Sequence, residues 1–544
     1  MRKDINVGGL FHMKKVLKVL LLLVLVAATV VSTAGCAQTF KQVSGADEKK
    51  EKALKAQPEI SDPGNAVEYT VSKTFSSDMV LQRDKVIRVW GWSQNKGSYI
   101  YGELLGEKRY AQIDENGQWL LEFSPKKYST EGTTLKIYPK NGTETIFENV
   151  LIGDVWIVSG QSNAEYSFKE MAVMYTECYD YIDSNDNIRL YRENKADAHV
   201  NGAQICYGEQ LDVINPEYKW EKTTVESVEP FSAAGYSFVK ELSRNTDIPQ
   251  GIIMAAAGGC YINEFMTPKT GANTSVFAKV WAEEQAIYKY FLAPFKHMAL
   301  RGILFYQGES DNQWPKLYDD MLADCVAGWR EDFDSTFAFY NIQCTSHSAL
   351  VQAFPGLPGL RAAQLDAYYK IPNSYLISTL DVGYRLRGEG EPEEDYAHTF
   401  NKKTIGERAA HIALSELYNV KGFEYKYVAA PLPSKVKWSK DSVSIDFTNV
   451  GDGLKAYEGD LIGFKIMLED ESIVNASAKV VDKNTVKVYI PSNLEMDYIA
   501  VCYAYEHSAL LEEANLVNSN DIPSPTFKFY TKEYIKLDEQ TMAR

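Results

Sequence analysis

The chain of 544 residues is poor in positive charge, histidine, paired cysteine and long apolar runs. Its 57 Lys and Arg face 73 Asp and Glu, giving a formal charge of −16. A surface of that sign repels polyphosphate and disfavours nucleic-acid binding. Histidine is scarce, at seven, so few side chains can act as a base near neutral pH. The seven cysteines contain no C-x-x-C pair, and no zinc framework is evident. Apolar runs are short except between residues 16 and 31, and about 16 residues fall below the roughly 20 that a bilayer span needs. No internal repeat is present. Aromatic residues are plentiful at 12%, with 35 Tyr and 9 Trp, and hydrophobic residues make up 45%. Such a chain can bury several cores, and its length corresponds to about three to four units.

The apolar run follows a basic patch, Arg2, Lys3, Lys14, Lys15 and Lys18, and ends in Ser32-Thr33-Ala34-Gly35-Cys36. A basic start, a short apolar stretch and small residues describe an export signal. Small residues directly before a cysteine resemble a bacterial lipobox, with cleavage before Cys36 and lipid on Cys36. Met13 offers a second start codon. Residues 1–36 are therefore read as a lipoprotein signal peptide, which implies an exported, membrane-anchored protein at the bacterial cell surface. Residues 37–66 are polar and mixed in charge, as a flexible linker would be. Of the remaining cysteines, most read as buried apolar residues, and a Cys178–Cys206 disulfide is open to an exported protein.

Three regimes follow. From 67 to 150, short alternating stretches and an Asn116-Gly117 turn predict a β-sandwich-like unit. From 151 to 425, continuous apolar runs at 155–158, 251–254 and 302–306 alternate with helical patterns at 233–242, 314–329 and 403–418. This predicts an α/β domain on a parallel sheet, with its site at the strand carboxyl ends. From 426 to 535, alternation returns at 442–447, 485–490 and 499–504, predicting a second β-rich unit.

Four stretches carry the candidate chemistry. Gly160-Gln161-Ser162-Asn163 directly follows a predicted strand, where a serine is held off the sheet as a nucleophile. It is not the G-x-S-x-G elbow, since Ala164 takes the last position. Gly258-Gly259 lets backbone N–H groups approach a ligand closely. Tyr306-Gln307-Gly308-Glu309-Ser310 ends a third strand, and its amide can donate into a site while Glu309 orients neighbours or acts as an acid. In Asp395-x-x-His398 the carboxylate can reach one imidazole nitrogen while the other faces a nucleophile. Asp381, following the mostly apolar stretch 375–380, is a competing carboxylate.

As an ordered set these stretches resemble the blocks of the SGNH hydrolases, in the branch of the sialate O-acetylesterases and related acetylxylan esterases. Met79-Val80-Leu81-Gln82-Arg83, Trp90-Gly91-Trp92, Phe231-Ser232-Ala233, Arg361-Ala362-Ala363-Gln364, Lys402-x5-Arg408 and Gly463-Phe464-Lys465 extend the likeness over residues 70 to 530. Ala164, Cys260 and Thr399 depart from the family's usual Met, Thr and Pro.

The resemblance implies an SGNH-type, flavodoxin-like parallel sheet flanked by N- and C-terminal β-rich units. It implies a serine esterase that removes O-acetyl groups from glycans, sialic acid foremost, without metal or organic cofactor. Ser162 would be the nucleophile, His398 the base and Asp395 the carboxylate, with Asp381 or a Ser–His dyad as alternatives. The backbone N–H groups of Ser162 and of Gly258 or Gly259, with the Gln307 side chain, would form the oxyanion hole. Asn163 and Glu309 would contact substrate. The alternatives are an acetylxylan esterase and a non-catalytic carbohydrate-binding lipoprotein.

Overall fold

The computed structural model describes residues 37–42, 52–174, 176–182, 185, 187–192, 218–271, 285–346, 354–383, 398–494, 496–507, 509–532 and 534. The signal segment with Cys36, Cys206 and Asp395 lie outside the described residues. Cys178 is a buried free thiol.

Six strands form the parallel centre of the molecule: β1 (Thr145–Gly160), β2 (Ile188–Arg192), β3 (Gln250–Ala256), β4 (Gly302–Tyr306), β5 (Ala338–Ile342) and β6 (Ser374–Ile377). Their order is β2-β3-β1-β4-β5-β6. The chain leaves β1 to one side and returns to its other side at β4. Such a change of direction opens a crevice at the strand carboxyl ends. Strands β3, β4 and β5 are buried along their whole length, as the apolar runs of β3 and β4 require.

The pleat sends alternate side chains of β1 into two cores. Val155 and Ile157 pack with Ile303, Phe305 and the helices α3 (Pro315–Asp332) and α4 (Leu357–Lys370). Trp156 and Val158 pack on the other face with Leu304, Tyr306 and the helices α2 (Ala233–Asn245) and α5 (Lys402–Glu416). Both α2 and α5 start at side-chain caps. Ser232 Oγ accepts the Gly235 N–H, and Asn401 Oδ1 accepts the Thr404 N–H. Helices α2 and α5 touch through Gly406, where a Cβ would come 2.4 Å from the Ala234 carbonyl oxygen.

Strand β1 is 16 residues long and belongs to two structures at once. Its first half pairs with Ser129–Tyr138 and with Val80–Gln82, and its second half with β3 and β4. Arg83 grips buried Asp154 with Nε and Nη2, both at 3.0 Å, while Gln82 and the Tyr418 hydroxyl complete the shell at 2.8 Å each. The Met79–Arg83 motif is thus a clasp between the N-terminal strands and the sheet.

The elements described after residue 431 are strands, with Leu432–Trp438, Ser442–Thr448 and Thr485–Tyr489 in one antiparallel sheet. Part of the stretch expected as a free linker is docked. Ala37–Thr39 adds an edge strand against residues 435–437, and Gln57, Asp62 and Gly64 bond to Tyr110, Tyr101 and Asn141. These side-chain and backbone bonds restrain both ends of residues 37–66.

Candidate active site

The site is built where β1, β3 and β4 end side by side. Gly160 closes β1 with φ +131, and a Cβ there would lie 2.1 Å from the Tyr306 carbonyl oxygen. Only glycine fits that crossing. Gln161 then joins the two strand exits. Its N–H donates to Tyr306 O at 3.0 Å, and its Oε1 accepts the N–H groups of Gly308 and Ser310 at 3.2 and 3.3 Å.

Ser162 opens the one-turn helix α1 (Ser162–Glu165 in sequence, preceding α2) and remains partly exposed. The Tyr166 N–H closes that turn on the Ser162 carbonyl at 2.8 Å. The Tyr166 ring lies 5.3 Å, centroid to centroid, from the imidazole of His398. His398 precedes α5, in a loop held by a Thr399 hydroxyl bond to Val382 O and a Lys402 N–H bond to Phe400 O. The structure therefore brings the expected base against the turn that carries the expected nucleophile.

Behind Ser162 lies a buried polar chain. Lys402 Nζ donates to Asn163 Oδ1, and Asn163 Nδ2 donates to Glu309 Oε1 at 2.6 Å. Lys402, Asn163 and Glu309 are 0%, 1% and 2% exposed. The Lys402 ammonium group also lies 5.2 Å and 4.8 Å from the ring centres of Tyr166 and Tyr306. Asn163 and Glu309, expected to contact substrate, are buried here and brace the Ser162 turn from inside. Lys402 had no assigned role in the sequence, because a lysine opening a helix ordinarily reads as surface.

Gln307, the side chain expected in the oxyanion hole, is held by buried partners. Gln307 is fully buried, and its Nε2 donates to Cys260 O at 3.0 Å and to Asp311 Oδ2 at 2.5 Å. Its Oε1 accepts from the Tyr318 hydroxyl at 2.8 Å, and Gln364 Nε2 holds its carbonyl at 3.0 Å. Gln307 Nε2 also lies 3.3 Å from Gln161 Oε1, next to Ser162 in the chain, so these bonds tie the β4 exit to the β1 exit. The Gly258 N–H donates to Glu165 Oε2 at 2.8 Å, whereas exposed Gly259 has open space about its Cβ position. Burial pushes the Asp311 carboxyl up to about 7, against the opposing bonds from Gln307 and the Ile262 N–H.

Asp381, the competing carboxylate, is taken by Arg408. Nη1 donates to Oδ1 at 2.7 Å and Nη2 to Oδ2, while Nη1 also reaches Ser378 O at 2.9 Å. This fork-to-fork pair ties the end of β6 to α5.

The sequence pattern of the carbohydrate esterases of the sialic acid-specific acetylesterase type matches residues 152–414, the span that contains every residue of this site. Over that span the chain is sialate O-acetylesterase-like. This esterase is a carboxylic ester hydrolase. It is 22% identical over 417 residues to the sialate O-acetylesterase of Homo sapiens, covering 69% of this chain and 76% of that protein. The Mus musculus sialate O-acetylesterase is 22% identical over 421 residues, covering 66% and 75%. The crystal structure of a carbohydrate acetylesterase from Xanthomonas citri superposes with a TM-score of 0.70 at 22% identity, over 85% of this chain and 99% of that one. The esterase shares that fold.

Proposed function

We propose that this esterase removes O-acetyl groups from glycans, acetylated sialic acid foremost, through an acetyl-enzyme on Ser162. The observation that carries the reading is the meeting of the Ser162 turn with His398 across the Tyr166 ring. Ser162 Oγ attacks the acetyl carbonyl carbon while His398 takes the hydroxyl proton. The oxyanion is met by the Ser162 N–H and by a backbone N–H of Gly258 or Gly259, Gly258 being released from Glu165 as substrate arrives. The sugar hydroxyl leaves with the proton from His398, and water then attacks the acetyl-enzyme with His398 again as base. Asp395 orients the imidazole in this scheme. Cys36, lipidated after export, anchors the enzyme at the cell surface.

The test is hydrolysis of p-nitrophenyl acetate, then acetate release from O-acetylated sialic acids and from acetyl-xylo-oligosaccharides. Ser162→Ala and His398→Ala are expected to abolish both. An active Ser162→Ala variant would end the acyl-enzyme reading, and acetate from the xylo-oligosaccharides alone would move the substrate to plant polysaccharide. Asp395→Asn is expected to lower kcat by up to about 10⁴ with the fold intact. Asp381→Asn, which breaks the Arg408 pair, is expected to lower Tm while retaining most of kcat. The reverse pattern would transfer the role to Asp381, and two silent variants would leave a Ser–His dyad.

A further inference from the structure

A second concavity, of about 390 Å³, lies at the other end of the central sheet. One wall is the face of the N-terminal strands Ile87–Trp92 and Gln118–Phe123, and the other is the turn 293–297 that leads toward β4. Strand β4 runs from this end to the Gln307 loop, so roughly 16 Å of strand separates the cavity from the catalytic turn. No substrate group held here reaches Ser162 directly.

The half-buried Trp92 indole offers the accessible apolar face, backed by the buried Trp90 and Trp119, and fixed polar groups stand around it. Trp90 and Trp119 are 6% and 2% exposed, and Trp92 is half-buried. Trp90 is wedged between Phe75 and His297, with ring centroids at 4.6 and 5.4 Å. Gly91 packs tightly between the neighbouring strand and an indole, since a Cβ there would come 1.9 Å from Thr70 O and 2.5 Å from the Trp119 ring. At the rim, Asp114 Oδ1 is fixed by the N–H groups of Asn116 and Gln118 at 2.9 and 2.8 Å, and Gln112 Nε2 by Gly97 O at 2.9 Å. Exposed Gln118 and half-buried Lys296 complete it. Burial, with the charges of Lys296 and Arg88, brings the His297 imidazole down to about 4, so it is neutral near pH 7. Asp114 and Lys296 offset one another.

This chemistry selects among ligands. A nucleotide or a sialic acid would find one ammonium opposed by one carboxylate, with no arginine fork to receive its anion. A wholly apolar ligand would strand the amides and the carboxylate at the rim. A neutral pyranose presents a C–H face to an indole and adjacent hydroxyls to amide and carboxylate groups. We propose that the cavity formed by Trp90, Trp92, Trp119, Asp114, Gln118 and His297 is a second carbohydrate site that holds neutral pyranose units of a polysaccharide, remote from the catalytic turn. The site goes beyond the esterase reading and rests on it only for the choice of a glycan over other polyhydroxylated ligands.

Affinity electrophoresis of the full chain in native gels cast with xylan or galactomannan tests this directly. Wild type and Ser162→Ala are expected to be retarded alike. Trp92→Ala and Gln118→Ala are expected to weaken association about tenfold while p-nitrophenyl acetate hydrolysis stays within about twofold of wild type. Gln118 is exposed, so Gln118→Ala decides the matter if Trp92→Ala lowers Tm. Absence of retardation by both polysaccharides overturns the proposal, as does equal retardation of Gln118→Ala and wild type, or retardation only in gels cast with sialylated mucin. A wild type that is retarded but does not hydrolyse the acetate ester would defeat the esterase mechanism and leave this site standing.

Discussion

Lys402 buries an entire amino group and meets it with one amide oxygen and two tyrosine faces. Removing it deprives the buried Asn163 Oδ1 of this charged donor, a loss that costs about 1–3 kcal/mol. Lys402→Met is therefore expected to lower Tm. It is also expected to lower kcat about 10²-fold with little change in KM, because the Ser162 turn loses its brace and a misplacement near 1 Å has that effect. Asn163→Ala should do the same, and the double variant should lose less than the two single losses combined, since each breaks the same chain. Additive losses would show that the two residues act separately. The strand exit that carries Ser162 was legible from sequence, because the apolar run at 155–158 leads directly into Gly160-Gln161. The direction of Gln307 was not legible. Its bonds to Asp311, Cys260 and Tyr318 join residues that no local pattern brings together.

Among the elements, β3 and β4 were readable because both faces are apolar. Strands β2 and β5 escaped because Arg189 and Asn341 interrupt the pattern, although both are buried. Asn341 is accommodated by its Nδ2 bond to Gln364 O at 2.9 Å, a partner from α4 that no local pattern announces. The exits of these strands give two expectations. Gly160→Ala places a Cβ against Tyr306 O and forces φ +131 on an alanine, so it should prevent folding or abolish activity, read by calorimetry and esterase assay. Asp311 supplies a pH signature. Its carboxyl titrates near 7 in the fold against 3.8 ordinarily, so the folded state holds a proton that the unfolded state has lost in between. The stability it contributes is full below about 4 and is lost as pH rises through about 7. The fall in Tm from pH 5 to pH 7.5 should accordingly be smaller in Asp311→Asn than in wild type, and an identical fall would remove Asp311 from the account.

At the scale of the whole molecule, the docked edge strand Ala37–Thr39 bears on the proposed anchor. A lipid on Cys36 would stand one residue from the C-terminal sheet, so such an attachment would have almost no slack. Cys36→Ala is expected to move the protein from the detergent phase to the aqueous phase on Triton X-114 partition. Wild type in the aqueous phase would remove the anchor and leave the esterase intact. The expected polar linker was misread because composition reports solvation and not the backbone edge waiting at residues 435–437.

The long strand β1 has a further consequence for how this protein can be cut. A division between residues 150 and 151, where the sequence changes character, falls within one continuous strand. A chain beginning at Leu151 would lose the partners of Leu151–Gly153 in Val80–Gln82 and would leave Asp154, wholly buried, without Arg83. The N-terminal strands are thus not a detachable module. Any lineage that discarded them would have had to rebuild the root of the strand whose far end presents Ser162, and any engineer seeking a minimal esterase should keep them.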